Sequence, residues 1–282
     1  MAYTTLVPIT EVCEHIDDPA WLIIDARFSL ADPSLGRRNY LESHVAGAMY
    51  AHLDQDLSSP VIKGTTGRHP LPDTTRAIEV FSSWGIPSDG QVVVYDDLGG
   101  ALAAVRVWWM LRWLGFMNVA VLDGGWQHWL KANYPVRSGA EVREAGPFPA
   151  VPRPGLVVTT EEVDQLRLDP AWRVLDARGA DRYRGENETI DPVAGHIPGA
   201  ISAPYAGNLQ PDGRFRPAEE LKARYQRLLG DIPGERAIVY CGSGVTSIHN
   251  ILAMLHAGLG EARLYAGSWS EWITNPSRPI AR

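Results

Sequence analysis

WLIIDAR at residues 21–27 returns as WRVLDAR at residues 172–178, and other segments return with it. ESHVAGAMY (42–50) matches VAGHIPGAIS (193–202), VVVYDD (92–97) matches AIVYCG (237–242), and LDGGWQHWL (122–130) matches YAGSWSEWI (265–273). The order is the same in both halves and the spacing nearly constant, which indicates duplication of a whole domain and not a solenoid of short repeats. Within each half, short runs rich in Val, Ile and Leu alternate with helix-like stretches such as AAVRVWWMLRWLG and EELKARYQRLLG. That alternation predicts an α/β fold of two tandem domains, each a mostly parallel central sheet flanked by helices. Between the copies, SGAEVREAGPFPAVPRPG (138–155) is proline-rich without apolar periodicity and reads as an extended linker. The expected domains are residues 1–138 and 156–282, joined by 139–155.

The chain has 282 residues, 45% of them hydrophobic and 21% charged, enough to bury a sizeable core in each half. Its net charge is −7, with acidic residues dispersed and no basic stripe, so nucleic acid is not an expected partner. No apolar run approaches the length of a membrane span, and no Lys or Arg precedes Arg27 to make the charged region of a signal peptide. The expected location is the cytoplasm, without membrane association. Two cysteines cannot build a disulfide framework or a cysteine-rich metal site. Cys13, in ITEVCEHI, reads as a small core residue.

The copies differ where chemistry would sit. After the apolar strand the first copy has Asp96 and the second Cys241, so the first is expected to be non-catalytic and the second to react. Cys241 opens CGSGVTS, and a thiol reacts as its thiolate. If Gly242, Ser243, Gly244, Val245 and Thr246 curl around the sulfur, their backbone N–H groups form a nest for an anion. The following helix would add the positive end of its dipole. Phosphatase chemistry needs an arginine at the end of a C-x5-R loop, and Ser247 stands there.

Taken together, DAR followed by HIPGA, the strand ending in CGSGVT and the final GSWSEW resemble the tandem-domain rhodanese-like sulfurtransferases over nearly the whole chain. The resemblance implies two rhodanese-like domains, a Cys241 that cycles between thiol and persulfide, and no metal or organic cofactor. It implies a small-molecule sulfur donor and a cyanide, thiol or protein acceptor. The uncharged Gly242 and Ser243 make the loop similar to that of 3-mercaptopyruvate sulfurtransferases, whose donor carries a single carboxylate. Members of that type also carry a Ser-His-Asp relay, which maps to Ser243, His69 in GRHPLP (67–72) and Asp54 in AHLDQDL (51–57). Such a relay would place the site in the interdomain cleft. Arg182 in RYRGE (182–186) matches the family's first substrate arginine and could clamp a carboxylate bidentately, and Arg184 is a second candidate. The family's further arginine is missing, because the chain continues ENETIDPVAG. The alternatives are a thiosulfate:cyanide sulfurtransferase and, from another class, a non-catalytic binding or redox-sensing module.

The remaining motifs read as structure. His44 and His196, in the repeated H-[VI]-[AP]-G-A motif, and the pairs Asp25 with Arg27 and Asp176 with Arg178 read as scaffolding. The tryptophans at 108, 109, 113, 126 and 129 read as core, Arg106 as a surface salt bridge, and Thr159 with Glu162 as a helix start.

Overall fold

The apolar runs become parallel strands, and the stretches between them become helices. A computed structural model describes residues 2–282, which divide into two units. Unit 1 takes in the chain as far as Ser59, then Pro72–Arg153 and Pro211–Phe215. Unit 2 takes in Pro60–Leu71, Pro154–Gln210 and Arg216–Arg282. Among the described residues no helix is long and apolar enough to cross a membrane.

Unit 1 contains β1 (Leu6–Val7), β2 (Trp21–Asp25), β3 (His44–Val45), β4 (Met49–Tyr50), β5 (Gln91–Tyr95), β6 (Val119–Leu122) and β7 (Val136–Arg137). Five of these form a parallel sheet in the order β1-β6-β5-β2-β4, and β3 pairs antiparallel with β7. Unit 2 contains β8 (Arg173–Asp176), β9 (Ile201–Ser202), β10 (Ala237–Tyr240) and β11 (Arg263–Leu264). They form a parallel sheet in the order β11-β10-β8-β9, the order of β6-β5-β2-β4 in unit 1. Every residue of β5 and β10 is buried, as expected for strands covered on both faces.

Helix Ala103–Trp113 is buried from Ala103 to Arg112. Arg106 is therefore not a surface residue. Its side chain is fully buried, and Nε donates to the Leu57 carbonyl at 3.3 Å. A helix enclosed on every side leaves no solvent face, so a guanidinium on it must find its partners inside the protein. Trp108, Trp109, Trp126 and Trp129 are buried, while Trp113 is half-buried and stacks on Trp109. Thr159 caps helix Thr160–Leu166 in a capping box with Glu162. Residues 138–155 form no helix or strand. Backbone bonds from Gly139, Gly146, Val151 and Arg153 tie them to unit 1, with Phe148 packed on Phe81 and Phe116.

The two units repeat one set of contacts. Asp25 pairs in register with Tyr95, and Asp176 with Tyr240. Arg27 Nη2 meets Asp25 Oδ2 at 2.7 Å and the Ser43 carbonyl at 2.6 Å, and stacks over Trp126. Arg178 Nη2 meets Asp176 Oδ2 at 2.6 Å and the Gly195 carbonyl at 2.7 Å, and stacks over Trp269. The Tyr95 hydroxyl accepts from the Val45 N–H, as the Tyr240 hydroxyl does from the Ile197 N–H. His44 stacks on Tyr40 and bonds its carbonyl at 2.7 Å, while His196 does the same with Tyr183 at 2.8 Å.

At the end of β5, the loop after Tyr95 folds around Asp96. The buried carboxylate accepts N–H bonds from Leu98 (2.9 Å), Gly100 (2.8 Å) and Leu102 (3.0 Å). Burial nevertheless pushes its pKa up to about 6, against those bonds. The folded chain therefore binds this proton more tightly than the unfolded chain, whose carboxylate titrates near 4. Stability contributed at Asp96 is full below about pH 4 and is lost as pH rises to about 6. The urea midpoint of Asp96→Asn, compared with wild type between those limits, should lack this downward slope; parallel profiles would contradict the assignment.

Candidate active site

Cys241 follows the last residue of β10, and its side chain is almost closed to solvent at 3% exposure. The next helix, Ile248–His256, begins after the loop. Two backbone bonds hold the loop from behind: Trp269 N–H donates to the Cys241 carbonyl at 3.0 Å, and Ser270 N–H to the Gly242 carbonyl at 2.9 Å. The Cys241 N–H donates to Ser268 Oγ at 3.1 Å, and that hydroxyl donates to the Tyr265 carbonyl at 2.9 Å. In unit 1 the Trp126 N–H donates to the Asp96 carbonyl at 3.0 Å, so both loops are held by the same kind of contact. Gly244 has φ +75°, and a Cβ there would lie 2.0 Å from the Ala266 carbonyl oxygen, so both its conformation and its surroundings require glycine.

Residues 67–69, distant in sequence, pack within unit 2. His69 Nδ1 and Ser243 Oγ share a hydrogen bond of 2.8 Å, and both side chains are buried. The Arg68 N–H donates to Ser270 Oγ at 3.1 Å, and a Cβ on Gly67 would stand 2.5 Å from the Gly267 carbonyl oxygen. Two of the three residues assigned to the relay thus meet beside the cysteine loop. The third, Asp54, belongs to unit 1, where its N–H donates to His52 Nδ1 at 3.1 Å and burial raises its carboxyl above the usual value.

Around the loop lies a cluster of partly buried charge. Arg182 donates through Nε and Nη2 to Glu188 at 3.0 and 2.8 Å, and through Nη2 to Asp191 Oδ2 at 3.0 Å. The other Asp191 oxygen takes Arg68 Nη1. Arg178 reaches Glu188 at 3.4 Å as well as Asp176. A Cβ added to Gly242 would be 2.6 Å from Arg68 Nη2, and 3.7 Å from both Arg182 Nη2 and Asp191 Oδ2, which puts all three groups beside the loop. Burial raises the Asp191 carboxyl, while Arg68 and Arg182 pull it down. Burial alone would raise Glu188 too, but the N–H groups of Asp191 and Ile190 and the Arg182 guanidinium hold it below the usual value. Arg184 stands apart, paired with Glu186 at 2.7 Å on the exposed surface.

Sequence reading brought Cys241, Gly242, Ser243, Gly244, His69 and Arg182 to this neighbourhood, with Val245 and Thr246 in the same loop. It missed Arg68, Glu188, Asp191 and the two serines of GSWSEW. Arg68 is the immediate neighbour of His69 in GRHPLP, the one signal that could have marked it.

The chain is similar to known proteins over its whole length. Over all of its 282 residues the chain is 46% identical to a probable 3-mercaptopyruvate sulfurtransferase of Pseudomonas aeruginosa, 99% of which is covered. It is 34% identical over 281 residues to the thiosulfate sulfurtransferase of Rattus norvegicus, spanning 96% of this chain and 92% of that one. The structure superposes on 3-mercaptopyruvate sulfurtransferase from Leishmania major with a TM-score of 0.86 at 32% identity, covering 98% of this chain and 75% of that chain. With the rhodanese-like domain model matching residues 9–132 and again residues 159–275, the chain belongs to the rhodanese-like family and carries its domain twice.

Proposed function

We propose that the protein is a sulfurtransferase that takes sulfur from 3-mercaptopyruvate onto Cys241 and passes it to cyanide, a thiol or a protein acceptor. The Cys241 thiolate attacks the donor sulfur, the donor's C–S bond breaks, and its electron pair goes to the carbon as a pyruvate enolate. Cys241 is left as a persulfide. An acceptor nucleophile then takes the outer sulfur, and the thiolate leaves. In this reading the loop Gly242–Thr246 and the start of helix Ile248–His256 surround the reacting sulfur.

The observation that carries the choice of donor is the 2.8 Å bond between His69 and Ser243. An enolate leaving group must gain a proton, which a histidine acting through a serine hydroxyl can supply. Sulfite, the product from thiosulfate, is a stable anion and leaves without one. Asp54 is assigned to this relay on the family resemblance alone. Arg182 and Arg68 bind the donor carboxylate, with Arg68 standing where the sequence lacked a second cation. Arg184, tied to Glu186 in solvent, lies outside this reading. The expected cytoplasmic location remains part of the proposal.

Thiosulfate is the second reading, favoured by the two guanidinium groups beside Gly242 and by the similarity to the rat enzyme. Measuring kcat/KM for both donors with cyanide as acceptor decides between them. Mercaptopyruvate should be preferred, and Cys241→Ser should abolish turnover with either donor. Preference for thiosulfate would reverse the donor assignment, and activity retained by Cys241→Ser would remove the persulfide mechanism. His69→Ala and Ser243→Ala should each slow mercaptopyruvate turnover by about a hundredfold or more while sparing thiosulfate, as expected for lost acid–base assistance. Equal losses for both donors would eliminate the relay.

A further inference from the structure

The charge around Cys241 is balanced. Arg68, Arg178 and Arg182 supply three positive charges, and Asp176, Glu188 and Asp191 supply three negative ones. Asp176 and Glu188 have other work. Asp176 holds Arg178 in the strand-end scaffold, while Glu188 pins Arg182 from the side and caps the turn through the N–H groups of Ile190 and Asp191. Asp191 alone bridges Arg68 and Arg182, one oxygen to each, with its side chain 2% exposed. It is a resident carboxylate between the two cations that the donor must use. Without it, two guanidinium groups beside Gly242 would favour a dianion.

We propose that Asp191 determines donor choice: its carboxylate leaves the cluster around Arg68 and Arg182 without net positive charge, so the site disfavours a donor with two negative charges more than a donor with one. This rests on the sulfurtransferase reading and adds the residue that sets its specificity. Discrimination is a difference between two affinities, and a fixed carboxylate beside the binding cations penalises the more highly charged competitor. The same contacts hold both guanidinium groups beside the loop, so Asp191 is a positioning residue that acts through the two arginines.

The test compares donors in Asp191→Asn, which keeps shape and removes charge. The ratio of kcat/KM for thiosulfate to that for mercaptopyruvate should rise about tenfold or more, through a lower KM for thiosulfate. Asp191→Glu, which keeps the charge, should leave the ratio near the wild-type value. Equal losses for both donors in Asp191→Asn, or an equal rise in Asp191→Glu, would overturn the proposal. Binding of sulfate and pyruvate, measured by calorimetry, needs no turnover and reads the inference even if sulfur transfer itself fails. Asp191→Asn should tighten sulfate and not pyruvate; unchanged sulfate binding would overturn it. If Asp191→Asn does not fold, the wild-type protein decides. Its kcat/KM for thiosulfate should change little as salt is added, because a balanced cluster does not draw in a dianion, whereas a steep fall would refute it.

Discussion

The buried Asp-x-Arg pair at the end of the central strand is the contact on which each unit is built. Removing two charges from water is costly, and the pair persists only because every side of it is satisfied. The aspartate also meets the arginine's backbone N–H, and the arginine also reaches a carbonyl of the following turn and a tryptophan face. These contacts join the strand end, the turn carrying the repeated histidine and the helix carrying the tryptophan. They thereby fix where the neighbouring strand, β5 or β10, delivers its last residue. In open parallel sheets, that carboxyl end is where ligands are bound.

From the same frame the copies depart at one position. In unit 1 the loop closes on the Asp96 carboxyl, which three backbone N–H groups hold and burial pushes toward its protonated form. In unit 2 the corresponding residue is a thiol, flanked by a histidine–serine pair and a guanidinium cluster. The equivalent loop holds a buried carboxyl in the first case and, in the proposed chemistry, a transient sulfur anion in the second. Beside the second loop, Arg68 and Arg182 are both paired with Asp191.

Repetition made the fold legible, because strand periodicity and motif order are local properties that survive duplication. WLIIDAR and WRVLDAR became β2 and β8 at equivalent places in the two sheets. Cys241 was legible for the same reason, as a departure from its copy. Arg68 was not, since it meets Asp191 across 123 positions and nothing in the spacing of either shows it. ENETIDP was read for the arginine it lacks, whereas its contribution is two carboxylates that organise arginines from elsewhere. Arg106 was misread because a charged residue in a helix suggests a solvent face, and this helix has none.

Persulfide chemistry at Cys241 is open to one decisive measurement: the mass of the intact protein, with peptide mapping, after exposure to 3-mercaptopyruvate in the absence of an acceptor. The peptide holding Cys241 should gain the mass of one sulfur atom, lose it when cyanide is added, and show no gain in Cys241→Ser. A gain that maps to Cys13, or one that persists in Cys241→Ser, would contradict sulfur transfer through this loop.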